Sequence, residues 1–298
     1  MVGMTLQEAL DEYKNVYMAY RNFAERTREE YINDLEDLVE FLEKLGVNHV
    51  KEIGLSIIER YVAHLEQEGF ASLTRKRKVV AIRSFLSFLY QDGYIQSNIA
   101  NKVVLPFAES TTPYVLTHAE CDQLRLACAA SPRDRAIIEL LLQTGIKLSE
   151  LTGLTINDVE IKKSNIMGDQ DSGFVRLIGG RGKKDRMIPL NAKACIALKN
   201  YLVVRKDAGN SIFFLNRFGE PLGERGVQKM LRKYLKKSGI GRATIQALRH
   251  TFAIHHSLKG TDPKTIQEVM GYKDPRSTFI YFSMAQELMK GELEEHAL

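Results

Sequence analysis

The sequence predicts a mainly α protein with a small β-hairpin or sheet, divided into two domains. Three observations lead there. Long stretches place apolar residues at the 3.6-residue repeat of a helix. Only two short runs, "GFVRLIGG" and "DRMIPL", read as strands, and they flank the basic turn "RGKK". Residues 101–116, "NKVVLPFAESTTPYVL", hold two prolines and no periodicity, which marks a linker. At 298 residues the chain is long for one domain and comfortable for two. The expected division is a helical domain over 1–105, a linker over 106–116, a second domain over 117–284 and a tail over 285–298.

In the first domain "TLQEALDEYKNVYMAY" and "TREEYINDLEDLVEFLEKLG" are helical, the second capped by Thr27 and closed by Gly46. Eight acids between Glu25 and Glu43 predict a negative outer face, turned away from any nucleic acid. A third helix runs near Ser56–Glu68 and stops at Gly69. The fourth opens with Arg75, Lys76, Arg77 and Lys78. Cations at a helix N-terminus oppose its macrodipole. A phosphate backbone would compensate them, so these four and Arg83 are candidate DNA contacts; a solvated helix start is the other reading.

In the second domain "THAECDQLRLACAA" and "SPRDRAIIELLLQTG" read as helices, the latter with Pro132 at its start and Gly145 at its end. After the hairpin come helices over Ala192–Lys206 and Glu224–Lys237. The second has an apolar face of Val227, Met230, Leu231, Tyr234 and Leu235, and a basic side of Lys229, Arg232, Lys233, Lys236 and Lys237, weaker candidates for contact with a DNA backbone; a solvated face is the equal alternative. A helix capped by Thr244 then runs to near Gly260, with Gln246 and Arg249 three apart on one face. Short helices around 263–271 and 275–282 precede an acidic tail.

Composition narrows the class. With 44% hydrophobic and 27% charged residues, an ordinary folded soluble protein is expected. No run of about 18 apolar residues exists to span a bilayer, so no membrane role is expected. The N-terminal stretch is acidic and amphipathic, unlike a secretory signal. Cys121, Cys128 and Cys195 form no metal-ligand pattern, and reduced thiols in a cytoplasm are the expectation. Residues 1–105 hold 13 Lys and Arg against 16 Asp and Glu, the remainder 29 against 21, so the basic half suits a polyanionic partner. "GGRGKK" lacks the spacing and terminal Ser/Thr of a P-loop, and His250, His255 and His256 lack the Cys or carboxylate companions of a metal site.

Four motifs follow one another in the second domain: "TGIKLSELTGL" (144–154), "IGGRGKKDRMIPL" (178–190), "ALRHTFAIH" (247–255) and "VMGYKDPRSTFIYF" (269–282). Together with "TREEYINDLEDLVEFLEKLG", "SLTRKRKVVAIRSFLSFLYQDG" and "NIANKVVLPF", they make the chain resemble the tyrosine recombinase (phage integrase, Xer-like) family over nearly its whole length. The resemblance implies a helical core-binding domain joined to a mixed α/β catalytic domain, closing on double-stranded DNA as a C-shaped clamp. It implies phosphoryl transfer with neither metal nor ATP, and no cofactor. A tyrosine attacks the scissile phosphate to form a 3′-phosphotyrosyl link, while two arginines hold the phosphate. A hairpin lysine and a histidine move protons. The tail resembles the segment by which members of the family associate with a neighbouring protomer; a frayed acidic terminus is the other reading.

Carried over residue by residue, Tyr281 matches the nucleophile, Arg249 the second arginine, Glu150 the acidic residue and His250 the histidine beside Arg249. Other positions depart from the pattern. Lys147 stands for the first arginine and loses the planar bidentate fork. Arg181 stands for the hairpin lysine and is a poor general acid; Lys183 or Lys184 could replace it, and both are also expected to contact DNA. Gln246 stands for a proton-handling histidine, and an amide cannot exchange a proton near neutrality. Tyr272 stands for a His or Trp and can still donate a hydrogen bond. The expectation is therefore a sequence-specific DNA-binding protein on this scaffold with a degenerate active site, strand cleavage weakened or lost, acting as a transcriptional repressor or other mobile-element regulator. The alternative is a working recombinase or integrase that cuts and rejoins DNA with a variant active site.

Overall fold

The computed structural model describes residues 3–108, 112–162, 171–179, 185–206, 209, 211–241 and 243–295, with 291–295 described by backbone alone. The chain divides into two compact units, Met1–Thr111 and Thr112–Leu298.

The first unit is built of helices. α1 (Leu6–Glu12) is held at its start by a reciprocal pair: Glu8 N–H donates to Thr5 Oγ1, and Thr5 N–H donates to the Glu8 carboxylate. It continues through a π-helical turn, Tyr13–Tyr17, into α2 (Met18–Tyr20). α3 (Glu25–Lys44), α4 (Leu55–Gln67) and α5 (Ser72–Gln91) follow. Leu35, Leu38, Leu42, Ile58, Ile82, Phe85 and Phe88 form the centre of their shared core.

Two expectations for this unit are corrected. α3 starts before Thr27: its N-cap is Ala24, and Glu25 faces the positive end of the helix dipole. Nor does α3 turn all its acids outward. Asp34 is buried, and Arg77 and Lys78 of α5 both pair with it; Lys78 Nζ also lies 2.5 Å from Asp37. A stripe of acids meets a stripe of bases across a helix pair, where each desolvated charge finds its opposite.

The second unit centres on α7 (Pro132–Thr144), whose Ile137, Ile138, Leu140 and Leu141 are fully buried. Ser131 caps its start, Pro132 occupies the first turn, and Gly145 ends it in the left-handed conformation, φ +58°. Around it lie α6 (His118–Ala127), α8 (Leu148–Gly153), α9 (Ala192–Val204), α10 (Glu224–Lys237), α11 (Ile245–Leu258) and α12 (Pro263–Met270).

The two expected strands are β2 (Ser172–Leu177) and β3 (Arg186–Leu190), an antiparallel pair with Val175 opposite Ile188. β1 (Val159–Lys162) adds an antiparallel edge on β2, giving the order β1-β2-β3. This strand was not expected, because four residues carry too little alternation to signal one. α13 (Arg276–Glu295) is one continuous helix where a short helix and a separate tail were expected; Ala285 at the supposed boundary is buried. Among the described residues no helix is long and apolar enough to cross a membrane.

Candidate active site

Arg249 organises the site. Its place on α11, one residue after Leu248 and three before Phe252, turns it inward, and it is only 3% exposed. Its two terminal nitrogens donate to the backbone carbonyls of Gly145 and Met270. These carbonyls lie at the C-termini of α7 and α12, where helix oxygens lack intrahelical partners and the dipole favours a cation. The guanidinium also lies 5.0 Å from the ring centre of Tyr272.

The Met270–Tyr272 turn is held from a second side. Arg186, at the start of β3, donates through Nε to Val269 O at 2.8 Å and through Nη2 to the Glu150 carboxylate at 2.8 Å. Glu150 in turn accepts from the Lys147 backbone N–H at 2.8 Å, fixing the first turn of α8. Burial pushes the Glu150 carboxyl up, but the Arg186 contact and the Lys147 N–H hold it below the ordinary glutamate value. Gly271 ends α12 at φ +64°, and a Cβ there would come within 3.0 Å of the Arg186 guanidinium. Arg186 was not among the expected site residues. Its signal was available: Arg186, Ile188 and Leu190 share one strand face, so the arginine points the way the core residues do.

Tyr281, on α13, is 2% exposed and packs in a small apolar cluster with Phe252, Ile254, Ile266 and Met270. Its hydroxyl lies 2.9 Å from His250 Nδ1 and 2.8 Å from the Tyr272 hydroxyl. Burial, and then the Tyr272 hydroxyl, push the Tyr281 pKa well above the ordinary tyrosine value, while Arg249 pulls the other way. Burial, and then Arg249, hold His250 below the ordinary histidine value, so its ring is neutral near pH 7.

Beside these groups a cavity of about 400 Å³ opens between α8, α10 and α11. Lys147, Gln246 and Arg249 line it, as do Gln228 and Arg232 from α10. The structure thus brings Lys147, Gln246 and Arg249 to one cavity, and Tyr272, His250 and Tyr281 to one hydrogen-bonded cluster, with Arg249 joining the two by lying over the Tyr272 ring. Arg181, Lys183 and Lys184 lie outside the described residues.

The basic start of α5 does not present four free cations. Lys78 is buried in its ion pairs, Arg77 donates to Asp34, and Arg75 lies 2.8 Å from Glu66. Arg83 donates to the carbonyls of Ala100 and Asn101, while Lys76 is exposed. Lys78 is therefore not free to contact DNA, because its ammonium is buried between the Asp34 and Asp37 carboxylates.

Residues 114–287 match the phage integrase family, and residues 10–93 match the N-terminal SAM-like domain of phage integrases. Tyrosine recombinase XerC of Bacillus subtilis (strain 168) is 30% identical over 291 residues, covering 93% of this chain and 91% of that protein. The XerC of Pelotomaculum thermopropionicum (strain DSM 13744 / JCM 10971 / SI) is 33% identical over 301 residues, covering 94% and 95%. Among solved structures, a lambda integrase dimer bound to a COC′ core site has the same fold. Its TM-score is 0.73 at 19% identity, over 94% of this chain and 95% of that one. XerH site-specific recombinase in a post-cleavage complex with palindromic difH substrate gives 0.73 at 20% identity, over 95% and 84%. Family match across both units, relatives similar over their full lengths and a shared architecture agree: the chain belongs to the phage integrase family of tyrosine recombinases.

Proposed function

We propose that the chain is a site-specific recombinase that cuts and rejoins duplex DNA through Tyr281. The observation that carries this reading is the Tyr281 hydroxyl within 2.9 Å of a neutral histidine nitrogen. In the attack, Tyr281 Oη bonds to phosphorus, its proton passes to His250 Nδ1, and the bond to the leaving 5′-oxygen breaks. Arg249 and Lys147 offset the charge that grows on the non-bridging oxygens. The leaving oxygen takes a proton from the basic sequence between β2 and β3, which carries Lys183 and Lys184, with Arg181 as the poorer acid. Tyr281 does not line the cavity, so α13 shifts when a phosphate is engaged there. Relatives that are recombinases, and like-folded structures holding DNA, support double-stranded DNA as the partner. Copies associate on that DNA, with α13 as the contacting element.

Gln246 and Lys147 favour a second reading, a regulator that binds DNA and no longer cuts it. An amide carries no proton to the reaction, and a lysine lacks the bidentate fork.

One experiment separates the two. The duplex site is selected from a randomised pool, and a nicked suicide substrate is built on it. A covalent complex that disappears in Tyr281→Phe establishes the recombinase; tight binding with no covalent complex establishes the regulator. In either case affinity falls steeply with salt, and a flat salt response counts against DNA as the partner.

A further inference from the structure

The cavity beside Arg249 contains one cation that the family motifs do not assign. Along α10, Gln228, Leu231, Arg232 and Leu235 fall at i, i+3, i+4 and i+7, and all four line the cavity. Among the described residues the Arg232 side chain is exposed and has neither an ion pair nor a hydrogen-bond partner. Its basic neighbours are directed elsewhere. Lys237 donates to Ala127 O at 2.9 Å, Lys233 lies over the Tyr234 ring, and neither Lys229 nor Lys236 lines the cavity.

The described lining holds Lys147, Arg232 and Arg249 and no carboxylate. A larger cavity of about 700 Å³, beside β3 and α12, includes Asp185 and Glu268 among its lining. The smaller cavity is therefore the one built for an anion. Its apolar walls, Ile146, Leu148, Leu231 and Leu235, lower the local dielectric and strengthen each charge within it.

Geometry also shows what the cavity lacks. Both terminal nitrogens of Arg249 are turned to backbone carbonyls, and Lys147 is a point charge. A tetrahedral phosphate is best held by a planar fork that gives two parallel N–H donors. We infer that Arg232 supplies this fork, binding the DNA phosphate seated in the cavity opposite Lys147 and replacing the guanidinium that position 147 does not provide. This rests on the DNA reading above and adds a phosphate ligand to the same site. It also explains how a lysine is tolerated at position 147: the bidentate contact has moved from the first turn of α8 to the middle of α10.

The test measures affinity, so it does not depend on cleavage. Methylphosphonates, which are neutral, are placed one at a time along the selected duplex. Binding is measured for the full chain and for Lys147→Ala, Gln246→Ala and Arg232→Ala. The phosphate whose neutralisation is coupled to Lys147→Ala, or to Gln246→Ala on its exposed side chain, marks the cavity. Arg232→Ala is expected to weaken binding of the unmodified duplex about tenfold, as for a charge-assisted hydrogen bond. It should have little further effect once that same phosphate is neutral, and Arg232→Lys should recover only part of the loss. Equal weakening on both duplexes, or coupling to a different phosphate, places Arg232 outside the cavity contact and overturns the inference. Failure of the recombinase reading is seen separately, as no covalent complex on the suicide substrate.

Discussion

Arg186 and Arg249 close the same helix end from opposite sides, one donating to Val269 O and the other to Met270 O. The last carbonyls of α12 have no partners within the helix, and two guanidiniums take their place. Each arginine is tied at its other end to the Gly145–Glu150 segment, Arg249 through Gly145 O and Arg186 through the Glu150 carboxylate. The turn carrying Tyr272 is thus fixed to the segment carrying Lys147. That sets the distance between the cavity beside Arg249 and the tyrosine cluster.

Removing one tether should be costly. Arg186→Ala leaves the Glu150 carboxylate, whose side chain is 18% exposed, without its cation and Val269 O without its donor. A loss of about 3 kcal/mol is expected from breaking such a mostly buried pair. A lower denaturant midpoint at unchanged m-value checks it. Arg186→Lys should recover part of the loss, since a lysine keeps the charge but cannot serve both acceptors in one plane.

Two neighbours in the basic run of α5 should behave oppositely. Lys78→Ala leaves Asp34 and Asp37 without the ammonium between them, and a loss of about 3 kcal/mol in folding stability is expected. Lys76→Ala removes an exposed charge, so stability should stay within about 0.5 kcal/mol. Its effect should be on DNA, reducing the slope of log affinity against log salt by about one. Thermal melting and a salt titration of binding on both variants give the comparison.

These two regions also show which parts of the structure the sequence reveals. Helix ends written in local chemistry were readable: Ser131-Pro132 before α7, Gly145 after it, and Thr244 before α11, whose hydroxyl accepts from Ala247 N–H. The order of the four motifs singled out Arg249, His250, Tyr272 and Tyr281, which lie together in the structure. Pairings between distant residues were not readable. Nothing local tells Asp34 that Lys78 lies opposite, because charge carries no periodic signal and either residue alone reads as surface. Arg186 was readable in principle from strand alternation, but an arginine beside a basic turn is easily taken as part of it. The length of α13 was hidden by its acidic composition, which reads as solvent-exposed whether the segment is helical or frayed.

Acidification should weaken the second unit in two stages. Burial first, and neighbouring cations second, hold His250, His255 and His256 below the ordinary histidine value of 6.5 in the folded chain. His118 is one of those neighbours, with its ring 4.4 Å from that of His255. Between the folded values and 6.5 the unfolded chain binds more protons, so this stability is fully present above 6.5 and is lost as pH falls through the folded values. Glu150 acts in a lower window. Its folded value lies below 4.5, so its contribution persists above 4.5 and is lost as pH falls further. Melting temperature against pH should therefore fall first below about pH 6.5 and again below about pH 4.5. Arg186→Ala should shrink the second step, to which Glu120, Asp122 and Asp274 also contribute, and leave the first.

The departures at positions 147 and 246 can be tested by reversing them. Gln246 is exposed and Lys147 half-buried at the cavity mouth, so Lys147→Arg and Gln246→His should leave the melting temperature nearly unchanged. Their effect should be on the covalent step. A restored proton-handling group is worth about 10²–10⁴ in rate and a restored transition-state donor about 10²–10³. The double reversion gains less than the product, because both groups act on one phosphate. Single-turnover formation of the covalent complex on the suicide substrate gives the rate. A gain of a hundredfold or more, on the order expected for one such group, means that Lys147 and Gln246 hold the chain's cleavage down. A rate within about twofold of the starting chain, well short of that gain, means that His250 and Arg232 already carry what those positions lack. Arg232→Ala should then reduce cleavage sharply in the original chain and only weakly once position 147 is arginine, because the two guanidiniums serve the same phosphate oxygens.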